Sequence, residues 1–256
     1  MRFTTANYTD IGTRKKTNQD SMLIMQAETS VGTVLMAAVC DGMGGLAKGE
    51  VASAAMVRML SVWFQTELPV LLANGFQPDM LRESWEKLIA EASQKVSSYG
   101  QQIHVDMGTT AVVFLVVGDI YYILNVGDSR VYLIADAVYQ LTKDQTFVQN
   151  EVDNGRMTEQ EALLSPQKNV LLQCIGASSI ARPDFVAGQV YPGQVYMLCC
   201  DGFRHVIQPS EFYDAFNYYV LTDQSVMVQA AQNITNLNIQ RGESDNISVI
   251  LIKVDN

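Results

Sequence analysis

The chain contains little histidine or cysteine: only two histidines and four cysteines among 256 residues. No two cysteines have the two-residue spacing of a zinc knuckle. Cys199 and Cys200 are neighbours on a predicted strand, so their side chains face opposite sides and cannot chelate one ion together. We therefore expect Cys40, Cys174, Cys199 and Cys200 to be reduced core residues of a cytoplasmic protein, without a disulfide framework.

Positive charge is also scarce. Seventeen Lys and Arg against 27 Asp and Glu give a formal net charge of −10. This argues against nucleic-acid binding, because neutralising phosphates requires a basic surface. The acidic excess has two interpretations that stay open: it keeps the surface soluble, or part of it forms a cation site.

Long apolar runs are missing as well. The longest are of strand length, far short of a bilayer span, and the N-terminus has no charged leader followed by an apolar block. We therefore expect a soluble, cytoplasmic protein with no membrane partner. Its hydrophobic fraction of 48% is ample for a sizeable core, and without repeats or a linker-like segment the sequence predicts one domain, residues 1–256.

The most informative feature that is present is a set of four aspartates at the ends of apolar strands. Apolar runs lead into Asp41, Asp128 and Asp201, and Asp245 precedes the last such run. Any single Asp-Gly is more often a turn than a metal site. Four carboxylates on rigid strand ends, with few His and no spaced Cys, favour hard ions such as Mg²⁺ or Mn²⁺. Gly42 would also permit a sharp turn that presents its own carbonyl.

Apolar periodicity predicts an α+β fold. Two long helices, at about 50–73 and 80–102, are expected to pack antiparallel on a sheet, the first covered on several sides and the second through one face that includes Tyr99. Strands adjacent in sequence and helices in pairs indicate antiparallel sheets with helices outside. The predicted strands lie within 1–25 on both sides of a polar loop and at 31–40, 109–117, 120–126, 130–135, 137–141, 184–190, 195–200 and 247–254. Further helices are predicted at about 210–219 and 224–236.

Two segments are predicted to be irregular. Residues 42–49 form a glycine-rich bend. Residues 145–180 are polar and contain one short helix, which a capping box at Thr158 opens. This second segment is expected to lie over the surface as an insertion.

The motifs around the aspartates resemble the signature of the metal-dependent Ser/Thr protein phosphatases of type 2C. The signature itself is Asp41-Gly-Met-Gly-Gly45 followed by Gly49-Glu-Val-Ala-Ser53. The family's other motifs follow in order: Gly12-x-x-Lys15-x-x-Asn18-Gln-Asp20, Gly108-Thr-Thr110, Asn125-Val-Gly-Asp-Ser-Arg130, Leu198-Cys-Cys-Asp-Gly202 and Asp245-Asn246. The match spans nearly the whole chain and looks most like the compact bacterial branch, which has Met where eukaryotic members carry His.

The resemblance implies a four-layer α-β-β-α sandwich of two antiparallel sheets flanked by helix pairs. It also implies two Mn²⁺ or Mg²⁺ ions in the channel between the sheets. Asp41 would bridge the two metals, and the Gly42 carbonyl would bind one of them. Asp201 and Asp245 would hold the other, and Asp20 would lie near the pair, directly or through water. Asp20 and Asp41 would thereby position the metal-bound nucleophilic water.

Comparison with the family pattern also bears on Asp128, Lys15 and Met43. Asp128 matches the position that helps hold a third, weaker metal in bacterial members. The family's phosphate-binding Arg falls on Lys15, which keeps the charge but loses the bidentate fork; Arg14 is the alternative phosphate-binding residue, or a solvated loop charge. Met43 cannot protonate a leaving oxygen. His205 is close to Asp201, but a lone His at a turn is expected to be a surface or packing residue, and His104 is assigned to a helix end.

The implied activity is protein serine/threonine phosphatase, with direct attack of a metal-bridging hydroxide on phosphoserine or phosphothreonine. The expected partners are phosphorylated proteins, including a cognate Ser/Thr kinase, and the expected state is a monomer. Residues 145–180 match the family's flap, and Gln145 stands where many relatives have His. Two alternatives stay open: a phosphatase-like binding module that has lost turnover, and a hydrolase of small phosphoesters.

Overall fold

Two antiparallel sheets form the centre of the fold. The computed structural model describes residues 1–43, 48–177 and 181–256. The first sheet has the strand order β1-β11-β10-β7-β8, and the second has the order β2-β3-β5-β6-β9, with a short β4 paired to β3. The strands are β1 Arg2–Asp10, β2 Asp20–Thr29, β3 Gly32–Met43, β4 Gly108–Thr109, β5 Ala111–Val117, β6 Ile120–Val126, β7 Arg130–Ile134, β8 Val138–Gln140, β9 Asp184–Gln189, β10 Val195–Cys199 and β11 Ile247–Asp255.

Helices cover the outer sides of both sheets, and further short helices lie in the connections. They are α1 Gly49–Ala73, α2 Pro78–Ile103, α3 Phe147–Asp153, α4 Glu159–Leu164, α5 Asp201–Arg204, α6 Pro209–Phe216 and α7 Gln224–Gln240. Helix α1 contacts β2, β3 and α2, whereas α7 contacts β1 and β11. This is the predicted α-β-β-α order of layers. No helix in the three described ranges is both long enough and apolar enough to cross a bilayer.

Strand β3 shows why the layers form. Its residues alternate between two apolar clusters, because successive side chains of a strand point to opposite faces. Leu35, Ala37 and Val39 join the cluster between the sheets, where the rings of Phe114 and Tyr196 meet at 4.6 Å. The alternate residues Val34, Met36, Ala38 and Cys40 pack against α1 and α2. A strand buried on both faces reads as a continuous apolar run, as β3 does.

The two long helices agree with the prediction in position but not in every buried residue. Helix α2 buries Trp85 and Ile89 against the sheet, whereas Tyr99, predicted on the same face, is 42% exposed. Helix α1 is covered by the sheet and by α2, and Val62 and Val70 remain more than half exposed. The prediction, which used only the positions of apolar residues, therefore overestimated how much of the two helices is buried. The outer side of the helix pair faces solvent.

Several boundaries differ from the predicted ones. Strand β3 continues through Met43, because Gly42 and Met43 pair with β4; the predicted bend therefore does not begin at Gly42, and its residues 44–47 lie outside the described ones. The described part of the insertion, residues 145–177, contains two short helices, α3 and α4, instead of one, and the Thr158 capping box opens the second; residues 178–180 lie outside the described ones. A short helix begins directly at Asp201. All four cysteines are buried, as predicted.

Candidate metal and phosphate site

A polar cleft lies where the ends of both sheets meet. Its volume is about 260 Å³, and it is lined by Lys15, Gln19, Asp41, Gly42, Met43, Thr110, Asp128, Asn169, Leu171, Asp201 and Asp245. A larger groove of about 430 Å³ lies between α1 and α2, but its lining is mainly apolar and contains none of these aspartates. The polar cleft therefore brings together all four strand-end aspartates, with Lys15 and Gly42.

Asp41 is fixed through its backbone. Its N–H donates to Thr110 Oγ1 at 3.0 Å, and its carbonyl accepts from the Thr110 N–H at 2.8 Å and from Thr109 Oγ1 at 3.0 Å. Thr110 Oγ1 lies 2.9 Å from Ser129 Oγ in the turn after β6. These threonines tie the end of β3 to the turn that carries Asp128, so two strand ends hold a fixed relative position.

Gly42 is required by close approach of three backbone segments. A Cβ at this position would lie 2.2 Å from the Gly49 carbonyl oxygen and 2.5 Å from that of Gln19. Gly49 has the reciprocal restriction, since its Cβ would lie 2.5 Å from backbone atoms of Gly42. The expected sharp turn at Gly42 is wrong: the residue continues β3, and the absence of a side chain lets α1 begin against that strand.

Asp20 lies beside the cleft, opposite Asp41 in the register of β2 and β3. Both of its carboxylate oxygens are buried and accept no hydrogen bond of good geometry from the described residues, although the side chains of Ser248 and Cys200 are near enough to act as weak donors. Burial raises the pKa of Asp20 to about 6; Ser248 and Cys200 oppose the shift, whereas the charges of Asp201 and Asp245 add to it. A buried carboxylate without a strong donor is costly unless a cation neutralises it.

Asp201 and Asp245 are brought together by the packing of α5 against the start of β11. A Cβ on Gly202 would lie 2.2 Å from the Asn246 carbonyl oxygen, so only glycine permits this contact. Lys15 Nζ lies 2.6 Å from Asp245 Oδ1, with both side chains about 40% exposed. Partial burial lowers the pKa of Lys15, but the contact with Asp245 and the other carboxylates outweighs it, and the net shift is upward.

Asp128 follows β6 and is backed by a buried network of charges. Arg204 Nη2 donates to the Asp128 carbonyl at 3.0 Å and lies 3.4 Å from its carboxylate. Arg130 binds Asp144 through two hydrogen bonds of 2.7 Å. Burial raises the pKa of Asp128 to about 7; the charge of Asp201 adds to this shift, and Arg204 opposes it.

The carboxylates affect one another strongly. Burial raises the pKa of Asp41 well above its usual value, and the charges of Asp20, Asp201 and Asp128 raise it further. Among residues 1–43, 48–177 and 181–256, no three His, Cys, Asp or Glu side chains converge on one point as a closed metal cluster; the carboxylates surround the cleft instead. An all-oxygen donor set with the buried oxygens of Asp20 nonetheless fits hard divalent cations.

Two of the expected residues do not join the cleft in the expected way. Arg14 is exposed and is not part of the lining, so Lys15 is the cation at the cleft. Gln145 is one step away: its Oε1 accepts from the Gly127 N–H at 2.9 Å, and its Nε2 donates to Asp184 Oδ2 at 2.9 Å. It thus attaches the insertion to the turn before Asp128.

Sequence reasoning missed several supporting residues. Asn246 holds the loop before β2, since its Oδ1 accepts from the Gln19 N–H at 2.9 Å and its Nδ2 donates to the Ile11 carbonyl at 2.8 Å. Its place in the Asp245-Asn246 motif was a usable signal. His205 and Glu243 connect Asp201 with the chain before Asp245, and nothing in the sequence marked Glu243.

Known proteins resemble this chain over almost its full length. A sequence model of the protein phosphatase 2C family matches residues 12–221. The serine/threonine phosphatase stp of Listeria monocytogenes is 30% identical over 252 residues, covering 96% of this chain and 94% of the relative. Among solved structures, the serine/threonine phosphatase of S. agalactiae has a TM-score of 0.85 at 30% identity, covering 99% of this chain and 100% of that one. The catalytic domain of the phosphatase PstP, solved with two manganese ions, has a TM-score of 0.78 at 25% identity, with 99% of each chain covered.

Proposed function

The chain belongs to the protein phosphatase 2C family and is a metal-dependent protein serine/threonine phosphatase, and we propose that the polar cleft is its active site. The observation that carries this proposal is the gathering of Asp41, Asp128, Asp201 and Asp245 around one cleft, beside the buried oxygens of Asp20. So much negative charge in one place requires cations.

The metal ligands proposed here are all oxygens. Asp41 and the Gly42 carbonyl would face one ion, and Asp201 and Asp245 would face the other, with Asp41 between them. Asp20 would contact the pair directly or through water. When bound, two Mn²⁺ or Mg²⁺ ions would supply a hydroxide nucleophile near neutral pH and neutralise charge on the phosphoryl group.

A third, weaker cation would be held by Asp128. Arg204 is already 3.4 Å from this carboxylate, so part of its charge is balanced without a metal. This pairing is a physical reason for the third ion to bind less tightly than the other two.

Lys15 is the proposed phosphate-binding residue. It lines the cleft, and an ammonium group has three donors, of which the contact with Asp245 uses one. The remaining donors would orient a phosphoryl oxygen. Because lysine acts as a point charge without the bidentate fork of arginine, it would bind phosphate less tightly.

The leaving oxygen of the substrate would take its proton from water. Met43 lines the cleft and has no proton to give. Neither histidine is among the lining residues. The chain's own contribution to this step is therefore to hold the phosphorylated residue so that its oxygen faces the solvent that enters the cleft.

We further propose that residues 1–256 act as one catalytic domain with a flap at about 145–180. Asn169 and Leu171 bring the flap to the cleft wall, where they would contact the residues on each side of the phosphorylated one. The substrates would be cytoplasmic phosphoproteins, including a cognate Ser/Thr kinase, and the enzyme would act as a monomer.

The test is hydrolysis of a phosphothreonine peptide by metal-stripped protein, with and without Mn²⁺, alongside Asp41→Asn. We expect activity only with Mn²⁺, and its loss in the variant. If neither the wild-type protein nor the variant hydrolyses the peptide while Mn²⁺ is still bound, the binding-module alternative is favoured. Faster hydrolysis of a nucleotide than of the phosphopeptide would favour the small-phosphoester alternative.

A further inference from the structure

Two side chains outside the cleft connect Asp201 to the chain segment before Asp245. His205 Nε2 lies 3.4 Å from Asp201 Oδ2, and its Nδ1 lies 3.2 Å from Glu243 Oε2. Glu243 Oε1 in turn accepts from the backbone N–H groups of Ser244, at 2.6 Å, and Asp245, at 2.9 Å. The connection therefore runs from one proposed metal ligand to the backbone of another.

The Glu243 end of the connection is shielded from water, whereas His205 is partly open to it. The side chain of Glu243 is 8% exposed and that of His205 is 23% exposed. Hydrogen bonds to charged groups are stronger where water cannot compete. A further contact fixes the other side of the loop, because Thr13 Oγ1 donates to the Glu243 carbonyl at 3.1 Å.

Asp201 needs such support because its own element is short. Helix α5 spans only Asp201–Arg204, and a single turn of helix is not stable by itself. His205 follows directly and lies four residues after Asp201, the spacing that brings two side chains together on one helix face. Its imidazole is therefore well placed to restrict the rotamer of the Asp201 carboxylate.

We propose that His205 is a positioning residue for the second metal, acting with Glu243 to hold Asp201 and the Asp245 segment at a fixed separation before the metal binds. This rests on the proposed function of the cleft, and it adds a role to the surface or packing residue expected from the sequence. His205 does not line the cleft, so it acts through Asp201 and not on the substrate. Partners that orient metal ligands typically contribute 10- to 100-fold to metal affinity.

The test measures Mn²⁺ binding by calorimetry on three variants, independently of turnover. His205→Ala removes both contacts. His205→Gln places an amide nitrogen near the position of Nε2 and can keep the contact with Asp201, whereas His205→Asn places one near Nδ1 and can keep the contact with Glu243. The matched control is His104→Asn, at the other histidine, which caps α2 with a φ of 55° that Asn tolerates.

We expect His205→Ala to weaken the tighter Mn²⁺ binding about 10- to 100-fold, with partial recovery in His205→Gln or His205→Asn and no change in His104→Asn. A purely structural role would lower the Tm of the metal-free protein and leave the Mn²⁺ affinity of the folded fraction unchanged. Affinity within about twofold of wild type in folded His205→Ala would overturn the proposal. If His205→Ala does not fold, His205→Asn, which loses the contact with Asp201, decides by the same criterion.

Failure of the proposed function gives a different result. In that case the wild-type protein would bind Mn²⁺ without hydrolysing phosphothreonine, or would not bind it at all, and Asp41→Asn would change nothing. Failure of the positioning role alone would leave a Mn²⁺-dependent phosphatase that is lost in Asp41→Asn and retains its metal affinity in the His205 variants.

Discussion

Lys15 is the residue whose chemistry departs most clearly from the family pattern. It lies in the cleft 2.6 Å from Asp245, and the neighbouring Arg14 lies outside the lining. The cation at the cleft is therefore a flexible ammonium group and not a planar guanidinium.

Lys15→Arg is expected to lower the KM for a phosphothreonine peptide. Arginine would bind the phosphoryl group through two parallel hydrogen bonds, and one additional charge-assisted bond corresponds to roughly a tenfold lower KM. Steady-state kinetics at saturating Mn²⁺ measure this. Arg14→Lys is the matched control and should leave KM unchanged; an unchanged KM in Lys15→Arg would mean that residue 15 does not contact phosphate.

Among the helices and strands, β3 is the one whose end is most closely packed against neighbouring backbone. Its last residues pass between Gln19 and the start of α1, and the backbone on both sides leaves no room for a methyl group at position 42. A contact between backbone atoms cannot be relieved by a change of rotamer, so β3 or α1 must move.

Gly42→Ala is therefore expected to cost about 2 kcal/mol of stability and to abolish most phosphatase activity, because the carbonyl of residue 42 would be displaced. Differential scanning calorimetry and peptide hydrolysis measure the two effects. In the control Gly75→Ala, nothing lies within 4 Å of the added methyl, and only the positive φ of 75° is strained. That variant should remain active. Full activity in Gly42→Ala would show that the end of β3 can shift freely.

The flap is a second element with a definable anchor. The anchor is Gln145, whose side-chain contacts are given above. The backbone N–H of Gln145 also donates to the Gly127 carbonyl at 2.9 Å, and the Gln145 carbonyl accepts from the Leu172 N–H at 2.8 Å. The side chain can be removed while these backbone contacts remain.

Gln145→Ala is expected to loosen the flap without unfolding the protein. Loss of the hydrogen bond from the Gly127 N–H should destabilise this contact by about 1 kcal/mol. This corresponds to roughly fivefold faster hydrogen exchange of the Gly127 amide. Hydrogen exchange followed by mass spectrometry measures it. Gln149→Ala, whose side chain bonds Asp153 within α3, is the control; equal exchange in both variants would contradict the anchoring role.

At the scale of the whole molecule, the raised carboxylate pKa values make stability depend on pH. The pKa of Asp20 is raised to about 6 and that of Asp128 to about 7. A carboxyl whose pKa is higher in the folded than in the unfolded protein binds more protons when folded, so stability falls as pH rises between the two values. Glu243 has the opposite shift, to about 2, and its contribution is lost only in more acidic solution.

The metal-free protein is therefore expected to lose stability between about pH 4 and pH 7, by on the order of 5 kcal/mol. Saturating Mn²⁺ should remove most of this loss, because it binds the ionised carboxylates. Chemical denaturation at several pH values, with and without Mn²⁺, measures the effect. Asp20→Asn should make the metal-free profile less steep, with the contribution of Asp128 remaining; a profile that rises with pH in wild type would contradict the raised pKa values.

The order of layers was predictable from the sequence. The continuous apolar run of β3, the apolar residues of α1 and α2, and the sequence order of strands indicate antiparallel sheets with helices outside, and the family resemblance adds the order of layers. The strand-end aspartates could also be found, because an apolar run followed by Asp is visible in a few adjacent residues. Tyr99 could not be placed correctly, since helix periodicity does not show where the neighbouring layer ends.

The sequence by itself determined the two-sheet architecture, the four aspartates of the cleft with Asp20 beside it, and the family they resemble. Tertiary structure alone decided which groups surround those acids. Lys15 meets Asp245, Asn246 holds Ile11, and Asp201 reaches the 243–245 segment through His205. These contacts join residues from about 40 to more than 200 positions apart in the chain. No local pattern specifies such pairs, because their geometry depends on how β1, β11 and α5 pack in three dimensions.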